Sequence, residues 1–229
     1  MPASPAPELA FCYCSQRKPG AAKHSLDQHY DGRGNGSQCY TSLSRLIVPQ
    51  IVISYCTQCG AATAYVIPPL DSLPRAVCSR CGHIHYENPR MVVGCVAEWQ
   101  GSILLCRRAI QPRHGLWTLP AGFMEMNETT AEAAARETLE EACATVEIDA
   151  AYAMVNLPHV GQVHLFYRGR LPDGRFAPGE ESLETALFAP ADIPWESLAF
   201  RSVAFCLQHY LRDRETGSFG FHCTDYAPR

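Results

Sequence analysis

The chain has 229 residues with 19 Lys and Arg against 23 Asp and Glu, a net charge of −4, an isoelectric point near 6.1 and 47% hydrophobic residues. That length holds one good-sized domain and a small one, with enough apolar content for a soluble core. The acidic balance gives no support to a nucleic-acid partner, and no apolar run reaches the roughly eighteen residues that would span a membrane.

Residues 1–50 show neither helical nor strand periodicity and are rich in Pro, Gly, Ser and Ala, which predicts a disordered tail. The opening MPASPAPELA lacks the basic and apolar regions of a secretory signal. An organelle transit peptide stays open, although the five Lys and Arg of this stretch are offset by three acidic residues. Cys12, Cys14, Cys39, His24 and His29 are too irregularly spaced to read as a metal site, and no role is assigned to them.

Twelve cysteines would suit a secreted disulfide scaffold, but four of them form two CxxC pairs and others sit in apolar segments. Cys95, Cys106 and Cys206 read as buried small hydrophobes, and a reducing, cytoplasmic compartment fits best. The pairs Cys56/Cys59 and Cys78/Cys81 are separated by eighteen residues, a spacing that suits a four-thiolate zinc site. Gly60 and Gly82 each follow the second cysteine of a pair, where a knuckle turn needs freedom in φ. Residues 51–89 are therefore expected to form a zinc ribbon whose zinc is structural. His83 and His85 are spare ligands only, expected at the surface beside the knuckle.

Beyond Pro89 the pattern turns β-rich. Residues 91–99 and 103–107 read as strands split by Gln100-Gly101, a hairpin signal, and 116–119 as a short strand. Thr129 with Glu132 three residues on makes a capping box, and an alanine-rich helix follows. At about 100° per residue, Ala131, Ala135, Thr138, Leu139 and Ala142 share one side, the expected buried face. Glu137, Glu140 and Glu141 fall roughly opposite. Arg136 is the only cation in the segment and can pair with Glu132 or Glu140, which leaves Glu137 and Glu141 without a partner in the helix. A hard divalent cation would supply one. Residues 146–155, 163–170 and 183–189 read as further strands. Phe200, Val203, Ala204, Leu207 and Leu211 mark a closing amphipathic helix. Residues 90–215 are taken as one domain and 216–229 as a C-terminal segment, and mixed strands with an early and a late helix predict an α/β/α sandwich.

Gly122, five residues, Glu128, seven residues, then Arg136-Glu137-x-x-Glu140-Glu141 is the spacing of the Nudix box, and six fixed residues over twenty positions make a specific signal. The chain resembles a Nudix hydrolase, with Cys143 standing where that family usually has a glycine. A left-handed C-cap at Cys143 would cost up to about 1 kcal/mol without touching the ligands. The segments NPRMVVGCV, ILLCRRAIQPRHGLWTLPAGFMEMNET and ESLETALFAPADIPWESLAF, behind the ribbon, are similar to the plant plastid-type FAD diphosphatases and their bacterial relatives. The SQPWPFP array of the NADH diphosphatases is missing, and Pro158 lies near, but not at, the offset of the proline in ADP-ribose-cleaving members.

The resemblance implies a Mg²⁺-dependent hydrolase, with Mn²⁺ as a substitute, that splits the diphosphate of a small dinucleotide-type substrate. FAD, giving FMN and AMP, is favoured, and ADP-ribose comes next. NADH or another nucleoside diphosphate derivative is the alternative substrate, and a non-catalytic regulatory module the alternative class. Glu137, Glu140 and Glu141 would hold the magnesium, with the Ala121 or Gly122 carbonyl completing its shell. Arg136 with Glu128 would hold the loop on the helix. Glu184 is the first choice for general base and Glu181 the second. Only one of Arg107 and Arg108 can face the cleft from a strand, and Arg107 is entered as the substrate contact beside Trp117 or Phe123, aromatics that could stack on an adenine or flavin ring. A homodimer is left open.

Overall fold

The computed structural model describes residues 52–227, so the expectations for the first fifty residues lie outside it. The ribbon carries a three-stranded antiparallel sheet of β1 (Thr63–Val66), β2 (Arg75–Cys78) and β3 (Ile84–His85), in that order. Each CxxC pair closes a tight turn, in which Gly60 N–H donates to the Cys56 carbonyl at 2.8 Å and Gly82 N–H to that of Cys78 at 3.2 Å. Both glycines have a positive φ, of 71° and 72°, a region that side chains with a Cβ rarely adopt.

The large sheet is built on β4 (Arg90–Trp99), β5 (Ser102–Arg108), β8 (Glu147–Leu157), β9 (Gln162–Arg170), β10 (Ser182–Phe188) and β11 (His222–Asp225), ordered β10-β5-β4-β9-β8-β11. Two short strands, β6 (Trp117–Thr118) and β7 (Ala121–Phe123), attach to β5 and β4 respectively. β4 and β9 run parallel over Arg90–Glu98 opposite Gln162–Arg170, so alternate residues face opposite layers. Helix α1 (Thr130–Ala142) covers one face and α2 (Arg201–Thr216) the other, the expected α/β/α sandwich. Val96, Leu105, Phe166, Val203 and Leu207 pack on the α2 side, whereas Cys95, Ala97, Leu104, Cys106 and Ala142 pack on the α1 side. Each fully buried Leu or Phe contributes roughly 1.5–3 kcal/mol. The three cysteines read as small hydrophobes, Cys95, Cys106 and Cys206, are at most 1% exposed.

The buried face of α1 is not the expected one. Ala133, Ala134, Glu137, Thr138, Glu141 and Ala142 are buried, while Leu139 is 53% exposed. Ala133 and Ala134 have no bulk beyond Cβ, so the helix lies close on Val93 of β4. That rotation turns the Glu137 and Glu141 edge inward and Leu139 out. The capping box forms as expected, with Glu132 N–H donating to Thr129 Oγ1 at 3.2 Å and Thr129 N–H to Glu132 Oε2 at 2.8 Å. At the other end Cys143 takes the left-handed C-cap, φ 45°. The N–H groups of Ala177 and Gly179 satisfy the free carbonyls of Ala142 and Glu141 at 2.9 and 3.0 Å, which ties the loop before β10 to the end of the helix.

The return of β11 as a parallel strand on β8 had no sequence signal. Asp213 anchors that segment by accepting from Tyr152 Oη at 3.0 Å, His222 Nε2 at 2.7 Å and Gly220 N–H at 3.2 Å. Among the described residues no helix is long and apolar enough to cross a membrane.

Candidate active site and metal centres

β4 pairs with β5 only beside their hairpin, at Glu98 opposite Ile103 and Trp99 opposite Ser102. Further along, β5 takes β6 and β4 takes β7, so the sheet parts and a cleft of about 1350 Å³ opens through the seam. One end is formed by Glu137, Glu140 and Glu141 of α1, and the other reaches Phe166 of β9 and the start of α2. The substitution of short strands for a continuous β4–β5 ladder is what lets side chains from the two helical layers share one cavity.

Glu141 is 6% exposed, and among the described residues its carboxylate accepts a single hydrogen bond, from Ala121 N–H at 3.2 Å. Burial, with the charge of Glu137 adding to it, pushes its pKa up to about 8 against that N–H. Glu137 is also raised by burial, while Arg136 acts in the opposite direction. The sequence expectation left Glu137 without a partner in the helix. Instead Arg136 Nη1 donates to it at 2.8 Å and to Glu140 at 2.8 Å. Arg136 also grips Glu128 with two nitrogens, at 3.0 and 2.8 Å, and Nη2 donates to the Phe123 carbonyl at 3.0 Å. This fork straps the loop before α1 to the helix, and Arg136 holds the Glu128 carboxyl down to about 2.

The donor set fits a hard divalent cation. The buried Glu137 and Glu141 and the exposed Glu140 line one cleft, with oxygen as their only donor element, which suits Mg²⁺ or Mn²⁺. Gly122 closes the space behind them: a Cβ there would lie 2.3 Å from Glu137 Oε2, so only glycine leaves the carboxylate in place. The ribbon fits a softer ion. The sulfurs of Cys56, Cys59, Cys78 and Cys81 all lie within 4.8 Å of one another, with Cys56 to Cys81 at 3.7 Å and Cys59 to Cys78 at 3.5 Å. Tetrahedral Zn–S bonds of about 2.3 Å put sulfurs roughly 3.8 Å apart.

Three of the expected site residues stand differently. Arg107 points away from the cleft, bonding the Gly115 carbonyl at 3.0 Å and pairing with Glu184 at 3.5 Å across the β5–β10 ladder. Strand alternation makes Arg108 the inward residue. The same ladder keeps Glu184 out of the cleft, whereas Glu181, the second choice for base, lines it. Trp117 packs edge-on against Phe188 at 4.9 Å, and its neighbour Thr118 faces the cavity instead. Phe123 does line the cleft, with the Arg90 guanidinium 5.6 Å from its ring. Ala121 also lines it, its N–H committed to Glu141. The sequence reading missed the far end, where His164 sits between Ser202 Oγ at 2.9 Å and Gln162 Oε1 at 3.0 Å. Polar residues alternating along β9 were its only trace.

Residues 54–87 match a zinc-ribbon family described as Nudix N-terminal, and residues 88–203 match the NUDIX domain family. The crystal structure of a NUDIX hydrolase from Nitrosomonas europaea is 48% identical, with a TM-score of 0.73, and its match covers 76% of this chain and all of that one. NAD-capped RNA hydrolase NudC of Photobacterium profundum is 27% identical over 153 residues, 66% of this chain and 54% of its own length. Phosphatase NudJ of Escherichia coli (strain K12) is 43% identical over 53 residues, 23% of this chain and 34% of its own. The chain thus spans about half or less of the length of these two curated relatives.

Proposed function

The chain belongs to the Nudix family, and on that footing we propose that it hydrolyses the diphosphate bond of a nucleoside diphosphate joined to a second organic group, with FAD the favoured substrate and ADP-ribose next. The observation that carries this reading is the placement of Glu137 and Glu141, buried and one helical turn apart, at one end of a cleft of about 1350 Å³. Sites for drug-sized ligands measure roughly 300–1,000 Å³, so this cleft has room for both halves of a dinucleotide. The Photobacterium relative is named as a hydrolase of NAD-capped RNA, and NAD is a substrate of the same dinucleotide class.

Glu137 and Glu141 would hold the divalent cation, with Glu140 at the rim able to bind through water. What a divalent cation supplies there is neutralisation of the diphosphate charge and Lewis acidity toward the phosphorus under attack. Arg136 keeps Glu137 in place while its fork to Glu128 fixes the loop that carries Gly122. Glu181, on the loop tied to the end of α1, takes the proton of the attacking water. The water oxygen bonds to phosphorus, the anhydride P–O bond breaks, and two phosphate monoesters leave. For FAD these are FMN and AMP. The ribbon's zinc is structural, because four thiolates leave it no open position.

The direct test is incubation with Mg²⁺ and a panel of FAD, ADP-ribose, NADH and diadenosine polyphosphates, with products separated by chromatography. FMN and AMP should form fastest. Failure to cleave any member of the panel would overturn the hydrolase reading and favour a regulatory module.

A further inference from the structure

The α2 side of the cleft carries a chain of three polar side chains in a wall that is otherwise apolar, with Phe166, Leu198, Phe200 and Val203 around it. His164 of β9, 8% exposed, stands between Ser202 of α2 and Gln162, two residues back on its own strand, and all three line the cleft. Residues two apart on a strand share a face, so Gln162 and His164 point the same way. The order of protons along the chain follows from its closed end. The Ser202 hydroxyl, in a residue only 2% exposed, has one partner among the described residues, His164 Nδ1 at 2.9 Å. Its hydrogen is satisfied only by donating to that nitrogen.

A donating hydroxyl makes Nδ1 the accepting nitrogen of a neutral ring, and His164 is neutral because burial lowers its pKa to about 4. The ring's single hydrogen then sits on Nε2, 3.0 Å from Gln162 Oε1. That N–H fixes how the carboxamide lies, with its oxygen toward His164 and its NH₂ away from it. An unrestrained glutamine turns its amide either way and donates or accepts as its partner requires. Here the turn would set N–H against N–H beside a buried ring. Gln162 is half-buried at the cleft wall, and its amide nitrogen has no partner among the described residues, so two hydrogens are offered to the cleft.

We infer that Gln162 is a specificity residue that donates a hydrogen bond to an acceptor on the edge of the substrate's heteroaromatic ring, and that His164 acts on the substrate only through it, as a positioning residue. The inference rests on the diphosphate reading above: the diphosphate stays with the α1 carboxylates, and one aromatic half reaches the α2 side. A flavin carbonyl and an adenine ring nitrogen share the required chemistry, a lone pair in the plane of the ring. A carboxamide held as a donor discriminates against any ring that turns an N–H to the same place, because two donors then face each other.

The test uses the full chain in buffer free of divalent cations and measures equilibrium binding of riboflavin and of adenosine, which carry the two rings without a phosphate. At least one should bind saturably, and Gln162→Met, which keeps the length and loses the amide, should weaken it about fivefold. The ring that responds is the one held here. Gln162→Glu keeps an oxygen for the His164 N–H but turns an acceptor to the ring, so it should weaken the same ligand at least as much. Tighter binding by the Glu variant than by the Met variant overturns the donor direction. His164→Phe should weaken binding by a similar factor in the wild type and change nothing further when added to Gln162→Met, a non-additivity that a purely structural histidine does not produce. If the Phe variant does not fold, His164→Leu serves in its place. No loss in the single His164 variant, or additive losses in the double one, overturns the positioning role. No saturable binding of either ring, or unchanged binding in a folded Gln162→Met, overturns the contact. A responsive ring with no member of the substrate panel cleaved would sink the hydrolase reading alone, and FAD turnover with both rings indifferent to Gln162 would sink this contact alone.

Discussion

Replacing Gly122 by alanine separates the site from the fold. The new Cβ would lie 2.3 Å from Glu137 Oε2 and 2.5 Å from both Cδ and Oε1, against an ordinary contact of at least 3.4 Å. Glu137 must therefore retreat by about 1 Å, a displacement that in a positioned catalytic group costs on the order of a hundredfold in rate, or about 2.7 kcal/mol of barrier. The cost to folding is smaller. The clash is with the far end of a flexible side chain, so an off-rotamer Glu137 and a strained contact with Arg136 cost about 1 kcal/mol, roughly 2–4 °C in melting temperature. Thermal melts and initial rates of FAD hydrolysis over a Mg²⁺ titration read the two effects separately. Gly94→Ala is the contrasting control: its Cβ would meet the Pro120 carbonyl oxygen at 2.7 Å and Ala121 Cβ at 2.5 Å, where backbone cannot retreat. That variant should lose about 1–3 kcal/mol of stability. A Gly122→Ala protein that melts like wild type and turns over within about twofold of it at limiting Mg²⁺ would refute the placement of Glu137 at the reacting centre.

Glu141→Gln should keep or slightly raise the melting temperature, because burial opposes its charge, and Glu137→Gln should lower it slightly by weakening the bond from Arg136, while activity falls by orders of magnitude in both. Normal turnover in both at low Mg²⁺ would remove them from the cation site. Purified protein should carry close to one zinc per chain by metal analysis, and the double replacement of Cys59 and Cys81 by Ser should lose it; an unchanged zinc content would rule out the four-thiolate site. His164 gives a pH dependence of definite sign. An unfolded chain protonates this side chain near 6.5, whereas the buried ring resists protonation down to about 4, so its contribution is fully present above 6.5 and is lost as the pH falls from there toward 4. The loss amounts to about 3 kcal/mol, and denaturant melts of His164→Asn should show a decline over that window shallower by the same amount. Parallel profiles in the two proteins would show that His164 does not sense the interior.

The local chemistry of this protein was legible in its sequence because it is written in short spacings. Two CxxC pairs with a glycine after each define the ribbon knuckles, and a capping box with glutamates at i, i+3 and i+4 defines the helix that presents them. Strand periodicity likewise located most of the large sheet. Three things depended on tertiary structure. Which side of α1 is buried followed from how closely Ala133 and Ala134 can approach β4, a packing contact that helical periodicity cannot see. Which of two adjacent arginines faces inward was settled by the β5–β10 register, which pairs Arg107 with Glu184 and turns Arg108 into the cleft. The far end of the cavity exists only because β4 and β5 separate and α2 begins across the gap, bringing residues far apart in the chain to one place. Sequence determines such a site only through the path of the whole backbone, since neither Arg108 nor Phe200 carries any mark of the other.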